Sequence, residues 1–159
     1  MVKILMVCLG NICRSPLAEG VMRKKLEDHH IEGIVDSCGF EAFHVGDTPD
    51  ERSINVAREH DIDIKMLKAR LFVQSDFDRF DRIYVMDRHN MMDVAKKARN
   101  KNDLNKIDFI MNAAYPGSDM RIPDPYMGGL KDFEKVWEMV DLATEKIIDQ
   151  IKTNKFITK

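Results

Sequence analysis

A three-layer α/β fold, a four-stranded parallel twisted sheet with helices on both faces, is what this sequence predicts, on three observations. Four short apolar runs alternate with segments of helical periodicity, the pattern of successive strand–helix–strand units. The first run, residues 2–7, is apolar except for Lys3, as a central strand covered on both faces requires. Directly after it, Cys8 to Pro16 joins that strand to a helical pattern through a tight loop. Ligands of such sheets bind beyond the carboxyl ends of the strands, at a topological switch point.

The elements follow in order. Residues 16–29 place Leu17, Ala18, Val21, Met22 and Leu26 on one helical face. A second strand is expected near residues 34–37. Pro49 starts a second helix that ends near His60. Residues 67–80 read as helix or irregular turns. Residues 83–86 form a third strand, residues 88–100 a helix, and residues 107–111 a fourth strand. A loop rich in Pro and Gly spans 112–129; a structureless stretch of that length in a compact domain is more often functional than idle. The last helix, 131–152, is the clearest, with Phe133, Val136, Trp137, Val140, Ala143, Ile147 and Ile151 at helical spacing. No repeat or linker interrupts the pattern, so residues 1–159 read as a single domain.

Composition excludes several classes. The chain has 44% hydrophobic and 33% charged residues, ordinary for a globular protein. A net charge of −2 provides no global field for nucleic acid or an anionic membrane. The basic stretch at residues 96–101 reads as a solvated helix end. The apolar N-terminus is too short for a signal peptide, since Asn11 and Arg14 follow at once, and no apolar run suits a bilayer span. Three cysteines without a CxxC pair favour neither a disulfide framework nor a metal site, so no metal or cofactor is expected and the expected compartment is a reducing cytoplasm.

The chemistry concentrates in Cys8-Leu9-Gly10-Asn11-Ile12-Cys13-Arg14-Ser15-Pro16. Gly10 and Asn11 tolerate positive φ, so the chain can curl and turn the amides of Leu9 to Cys13 inward as an anion-binding nest. Ser15 and Pro16 suit the N-cap and first position of a helix whose positive end faces the loop. Arg14 offers a planar fork for two phosphate oxygens. The same field favours Cys8 as thiolate, the nucleophilic form. The plain alternative is a buried cysteine at a strand end beside a solvated arginine.

In the far loop, Ile122-Pro123-Asp124-Pro125-Tyr126 holds an aspartate between two prolines. Pro125 pushes Asp124 out of the α region. A rigid carboxyl on the edge that bears the thiolate can protonate a leaving oxygen, and burial beside that thiolate would favour its acid form. The alternative is a simple Asx-turn residue.

With these residues in place, the chain resembles the low-molecular-weight protein tyrosine phosphatases. Residues 8–16 are similar to their phosphate loop and Asp124-Pro125-Tyr126 to their acid loop. Asp36-Ser37, Gly46, Pro49-Asp50, Lys68-Ala69-Arg70, Phe80-Asp81 and Met86-Asp87 match further landmarks. The resemblance implies a phosphotyrosine phosphatase I-like fold and a metal-free, two-step hydrolysis of phosphotyrosine. Cys8 is then the nucleophile that forms a phosphocysteine, Arg14 the clamp and Asp124 the general acid and base. Leu9, Gly10, Asn11, Ile12, Cys13 and Ser15 then bind phosphate, and Ser15 also supports the departing sulfur. Phe43 and Tyr126 line the substrate pocket; Phe43 stands where members often carry Trp or Tyr. Met127 replaces a second Tyr of many members. Leu67 stands where many have a histidine that helps fix the asparagine at position 11, which leaves Ser37 in a reduced network. Partners implied are phosphotyrosine proteins or peptides and a cognate tyrosine kinase. Cys13 resembles a second loop cysteine that can form a reversible disulfide with Cys8; it otherwise reads as a small buried residue.

Two enzymatic alternatives share the loop. Arginine phosphatases resemble it but tend to have Thr at the Ile12 position. Thiol-relay arsenate reductases need further cysteines downstream, and none follows Cys38. Cys38 reads as inert interior. His29, His30, His44, His60 and His89 read as surface residues, with His44 near the cleft.

Overall fold

The computed structural model describes residues 1–157. Its elements are β1 (Val2–Val7), α1 (Arg14–Asp28), β2 (Gly33–Cys38), α2 (Glu51–Glu59), α3 (Asp76–Arg79), β3 (Arg82–Val85), α4 (Arg88–Ala95), α5 (Lys101–Lys106), β4 (Ile107–Phe109) and α6 (Leu130–Lys152). Short 3₁₀ turns occupy Ala42–His44 and Ile110–Ala113.

The four strands are parallel in the order β2-β1-β3-β4. From β1 the chain first goes to β2 on one side and later to β3 on the other. The switch point therefore lies at the carboxyl end of β1, where the sheet opens for a ligand. Period-two alternation along β1 sends Ile4 and Met6 to one face and Leu5 and Val7 to the other. The first face packs against α1, α2 and α6 through Leu17, Val21, Val56, Val136 and Ile147. The second packs against α3 and α4 through Phe77, Phe80 and Val94. Both faces of the sheet are thus covered, as the continuous apolar strands predicted.

Several boundaries differ from the sequence expectation. Helix α1 starts at Arg14, not Pro16; Cys13 occupies the cap and no side chain caps the helix. Ser15 is not the N-cap because its hydroxyl serves the loop instead. Helix α2 starts after Asp50, whose carboxylate accepts from the Arg52 amide, so Pro49 stands just outside it. The helix expected over 88–100 ends at Ala95. A separate α5 follows, capped by Asn100, whose side chain accepts from the Asp103 amide. The basic stretch spans the gap between the two, where Arg99 is held by Asp78 and Asp103. Strand β4 stops at Phe109, with Ile110 and Met111 in the 3₁₀ turn. Among the described residues no helix is long and apolar enough to cross a membrane.

Candidate active site

The loop between β1 and α1 forms a cup whose lining faces outward by a simple rule. In a trans peptide the C=O and N–H point in opposite directions. The Leu9 carbonyl accepts from the Phe40 amide (2.7 Å), the Ile12 carbonyl from the Asp50 amide (2.7 Å), and the Cys13 carbonyl from the Ser53 hydroxyl (3.1 Å). Each of these carbonyls is turned away from the cup. The amides of Gly10, Cys13 and Arg14, on the same peptide planes, are therefore turned toward it. Asn11 takes the left-handed conformation (φ 56°) that closes the curl. Gly10 does not; its missing Cβ instead lets the His44 ring approach, since a Cβ there would lie 3.1 Å from His44 Cδ2. Gly39 is needed for a similar reason: a Cβ would meet the Leu9 carbonyl oxygen at 2.6 Å.

Cys8 directly follows β1 and sits at the floor, 2% exposed. Its sulfur lies 3.0 Å from the Ser15 hydroxyl. Asn11 Nδ2 donates to Ser15 Oγ (2.8 Å), which leaves the serine proton for the sulfur. Asn11 Nδ2 also donates to Ser37 Oγ (2.9 Å), and Asn11 Oδ1 accepts from the Arg70 amide (3.0 Å). Ser37 in turn donates to Glu19 Oε1 (2.7 Å). The asparagine is therefore held on both ends of its amide, with Ser37 among its partners as expected. Leu67 needs no substitute, because the Arg70 amide and the Glu19–Ser37 pair supply the partners.

Glu19 is buried, and burial pushes its carboxyl above the usual range, against the pull of Ser37 and Arg23. A carboxyl raised in the folded state contributes its full stability below the unfolded value and loses it as pH rises through the folded one. Glu19→Gln retains an acceptor for Ser37, and Arg23 keeps its bond to the Val35 carbonyl. Its melting temperature is expected to fall less than that of the parent between pH 5 and 8, and parallel curves in thermal unfolding would refute this.

Arg14 is buried at 2% side-chain exposure. Its Nη1 donates to Asp87 Oδ2 (2.7 Å) and the Ile122 carbonyl (2.8 Å), which fixes the guanidinium plane. Burial works against its charge, yet Cys8, Asp87 and Asp124 together hold it more firmly protonated than usual. Asp87 stands two residues beyond the end of β3, where the rule that ligands bind past the carboxyl ends of the strands could have singled it out.

Asp124 faces the same cup. Its Oδ2 lies 3.6 Å from Arg14 Nη2, and its Oδ1 accepts from the Tyr126 amide (3.1 Å). The Asx turn read from the sequence is present, and the other carboxylate oxygen faces the Arg14 guanidinium. Asp124 is 45% exposed, so the expectation of burial is corrected.

Cys13 is buried, and burial pushes its thiol far up, with Asp50, Cys8 and Asp124 adding to the effect. It is held as thiol, which leaves Cys8 as the loop's nucleophile candidate. Cys38 is buried and free, its thiol raised by burial.

The cavity above Cys8 measures about 330 Å³. Leu9, Gly10, Ile12, Glu41, Phe43, His44, Asp124, Tyr126 and Met127 line it with Cys8, Cys13 and Arg14. Asn11 and Ser15 act from behind this surface. Phe43 is exposed at the rim and leans on the His44 ring at 4.2 Å. His44 stands between Asp47 and Glu41. Among the described residues no cluster of three or more His, Cys, Asp or Glu could hold a metal.

Three comparisons match this arrangement. A family model described as low molecular weight phosphotyrosine protein phosphatase matches residues 3–156. A low molecular weight phosphotyrosine protein phosphatase of Schizosaccharomyces pombe is 38% identical over 146 residues, 89% of this chain and 92% of that protein. The one from Sus scrofa is 36% identical over 152 residues, 94% of this chain and 95% of that one. Among solved structures, a protein tyrosine phosphatase from Entamoeba histolytica with Hepes in its active site superposes with a TM-score of 0.91 at 34% identity. That match covers 98% of this chain and 99% of the other.

Proposed function

The chain belongs to the low molecular weight phosphotyrosine protein phosphatase family, and on that premise we propose that Cys8, Arg14 and Asp124 carry a two-step hydrolysis of phosphotyrosine. The activity is that of a phosphoric monoester hydrolase acting on phosphotyrosine in proteins. The Cys8 thiolate attacks phosphorus as the bond to the phenolic oxygen breaks. The departing oxygen takes the proton of Asp124, and a phosphocysteine remains. Water then attacks phosphorus, giving its proton to the Asp124 carboxylate, and the Cys8 sulfur leaves with help from the Ser15 proton. Arg14 and the inward amides hold the equatorial oxygens throughout both steps, where the charge develops. The observation that carries this reading is the shared cavity: sulfur at the floor, guanidinium at the wall, carboxyl at the mouth.

The depth of the cup supports phosphotyrosine over shorter esters. Apolar walls from Leu9, Ile12, Phe43 and Tyr126 suit a phenyl ring between the phosphate site and solvent. Ile12 offers no hydroxyl to a guanidinium, which supports the tyrosine ester over phosphoarginine. A cognate tyrosine kinase among the partners follows from the same substrate class. Three free thiols among the described residues support a reducing cytoplasm.

A substrate panel tests the proposal. Phosphotyrosine peptides are expected to outpace phosphoserine and phosphoarginine peptides by at least about 10²-fold in kcat/KM, since a missing apolar body and unpaired polar groups each cost a few kcal/mol. No thiol-dependent arsenate reduction is expected. Faster turnover of phosphoarginine would overturn the substrate assignment.

A further inference from the structure

We propose that Arg52 is the positioning residue of the acid loop, the group that keeps Asp124 over the sulfur. The inference rests on the phosphatase reading above and adds a role for a residue in a different element, the first turn of α2.

The Arg52 side chain spans two parts of the site. On one side Nε and Nη2 donate to the two oxygens of Asp50 (3.0 and 2.9 Å). Asp50 is itself tied to the phosphate loop, because its amide donates to the Ile12 carbonyl. On the other side Nη2 donates to the Tyr126 carbonyl and Nη1 to the Gly128 carbonyl, both at 2.9 Å. The guanidinium lies over the Phe133 ring at 4.3 Å and near the Tyr126 ring at 5.8 Å. Among the described residues, hydrogen bonds that reach 124–129 from outside this loop and the start of α6 come from Arg52 alone. The remaining tether is the 3.6 Å ion pair of Asp124 with Arg14, which an incoming phosphate would displace.

This geometry needs arginine. Four directed N–H groups in one plane meet a carboxylate and two carbonyls while a flat face stacks on an aromatic ring; an ammonium has neither the plane nor the fork. The functional consequence follows from the task of Asp124. A general acid misplaced by an ångström fails most where the leaving group needs its proton most.

The test compares aryl phosphates whose leaving phenols span a range of acidity. Arg52→Met is expected to slow phenyl phosphate about 10- to 100-fold, and p-nitrophenyl phosphate by less than about 3-fold, as a positioning loss predicts. Inhibition by inorganic vanadate should be unchanged, since the cup itself is intact. Arg52→Lys should fall between the two proteins. Combined with Asp124→Ala, Arg52→Met should add nothing to the dependence on leaving group. Equal slowing of all esters, weakened vanadate binding in a folded variant, or an additive double variant would overturn the role. Should Arg52→Met fail to fold by circular dichroism, Arg52→Lys decides: rates equal to the parent's across the series overturn it. If Asp124→Ala leaves the leaving-group dependence unchanged, the acid assignment fails and this role with it. If Asp124→Ala steepens that dependence and neither Arg52 variant does, the role of Arg52 alone fails.

Discussion

Cys8→Ser is expected to abolish turnover while phosphotyrosine ligands still bind. The substitution removes a thiol, the stronger nucleophile, and leaves a hydroxyl that is far harder to ionise. The group hydrogen-bonded to position 8, Ser15 at 3.0 Å, is itself a hydroxyl committed as a donor and is no base for a serine. The groups that bind phosphate stay in place, because Arg14 is fixed by Asp87 and the Ile122 carbonyl and the loop by Phe40, Asp50 and Ser53. The loss in kcat should be on the order of 10⁶-fold, the scale found when a catalytic nucleophile is removed. Steady-state assays and equilibrium titration with a phosphotyrosine peptide measure the two halves. Residual turnover within tenfold of the parent, roughly 1.4 kcal/mol of barrier, would remove Cys8 from the mechanism.

Asp124→Ala is the second large effect, and it should depend on the ester. For tyrosine phosphate, whose leaving phenol is a poor one, the rate should fall about 10² to 10⁴-fold. For an acidic phenol that leaves unaided, the fall should be far smaller. Asp124→Asn separates chemistry from loop structure, since an amide oxygen can still accept from the Tyr126 amide. It should be as slow as the alanine variant on tyrosine phosphate. An asparagine variant with parental rates would show that the residue matters only as a turn.

The fold and the centre of the site were largely legible because their signals are local. The run Val2–Val7 reads as a buried strand from composition alone, and α6 from periodicity alone. Cys8, Arg14 and Asp124 stand out because each sits in a distinctive backbone context, a strand end, a helix start and a pair of prolines. Helix α5 was not legible: six residues with Leu104 half out in solvent leave no apolar face to read. The start of α1 was misplaced for a different reason. Ser-Pro signals a cap, but the serine hydroxyl was drawn to a sulfur seven residues back, a contact that exists only once the loop has curled.

What the sequence by itself determined is therefore the alternation of strands and helices, the candidate reactive groups and the family the chain belongs to. The tertiary structure decided who holds them. Arg14 finds its partners 73 and 108 residues away, and Arg52 reaches the acid loop across 74 and 76. Periodicity and propensity report only what neighbours within a turn or a pleat impose. The orientation of a guanidinium depends on which strands lie side by side, and that is settled by burial of the two apolar faces of the sheet, not by any short stretch of chain.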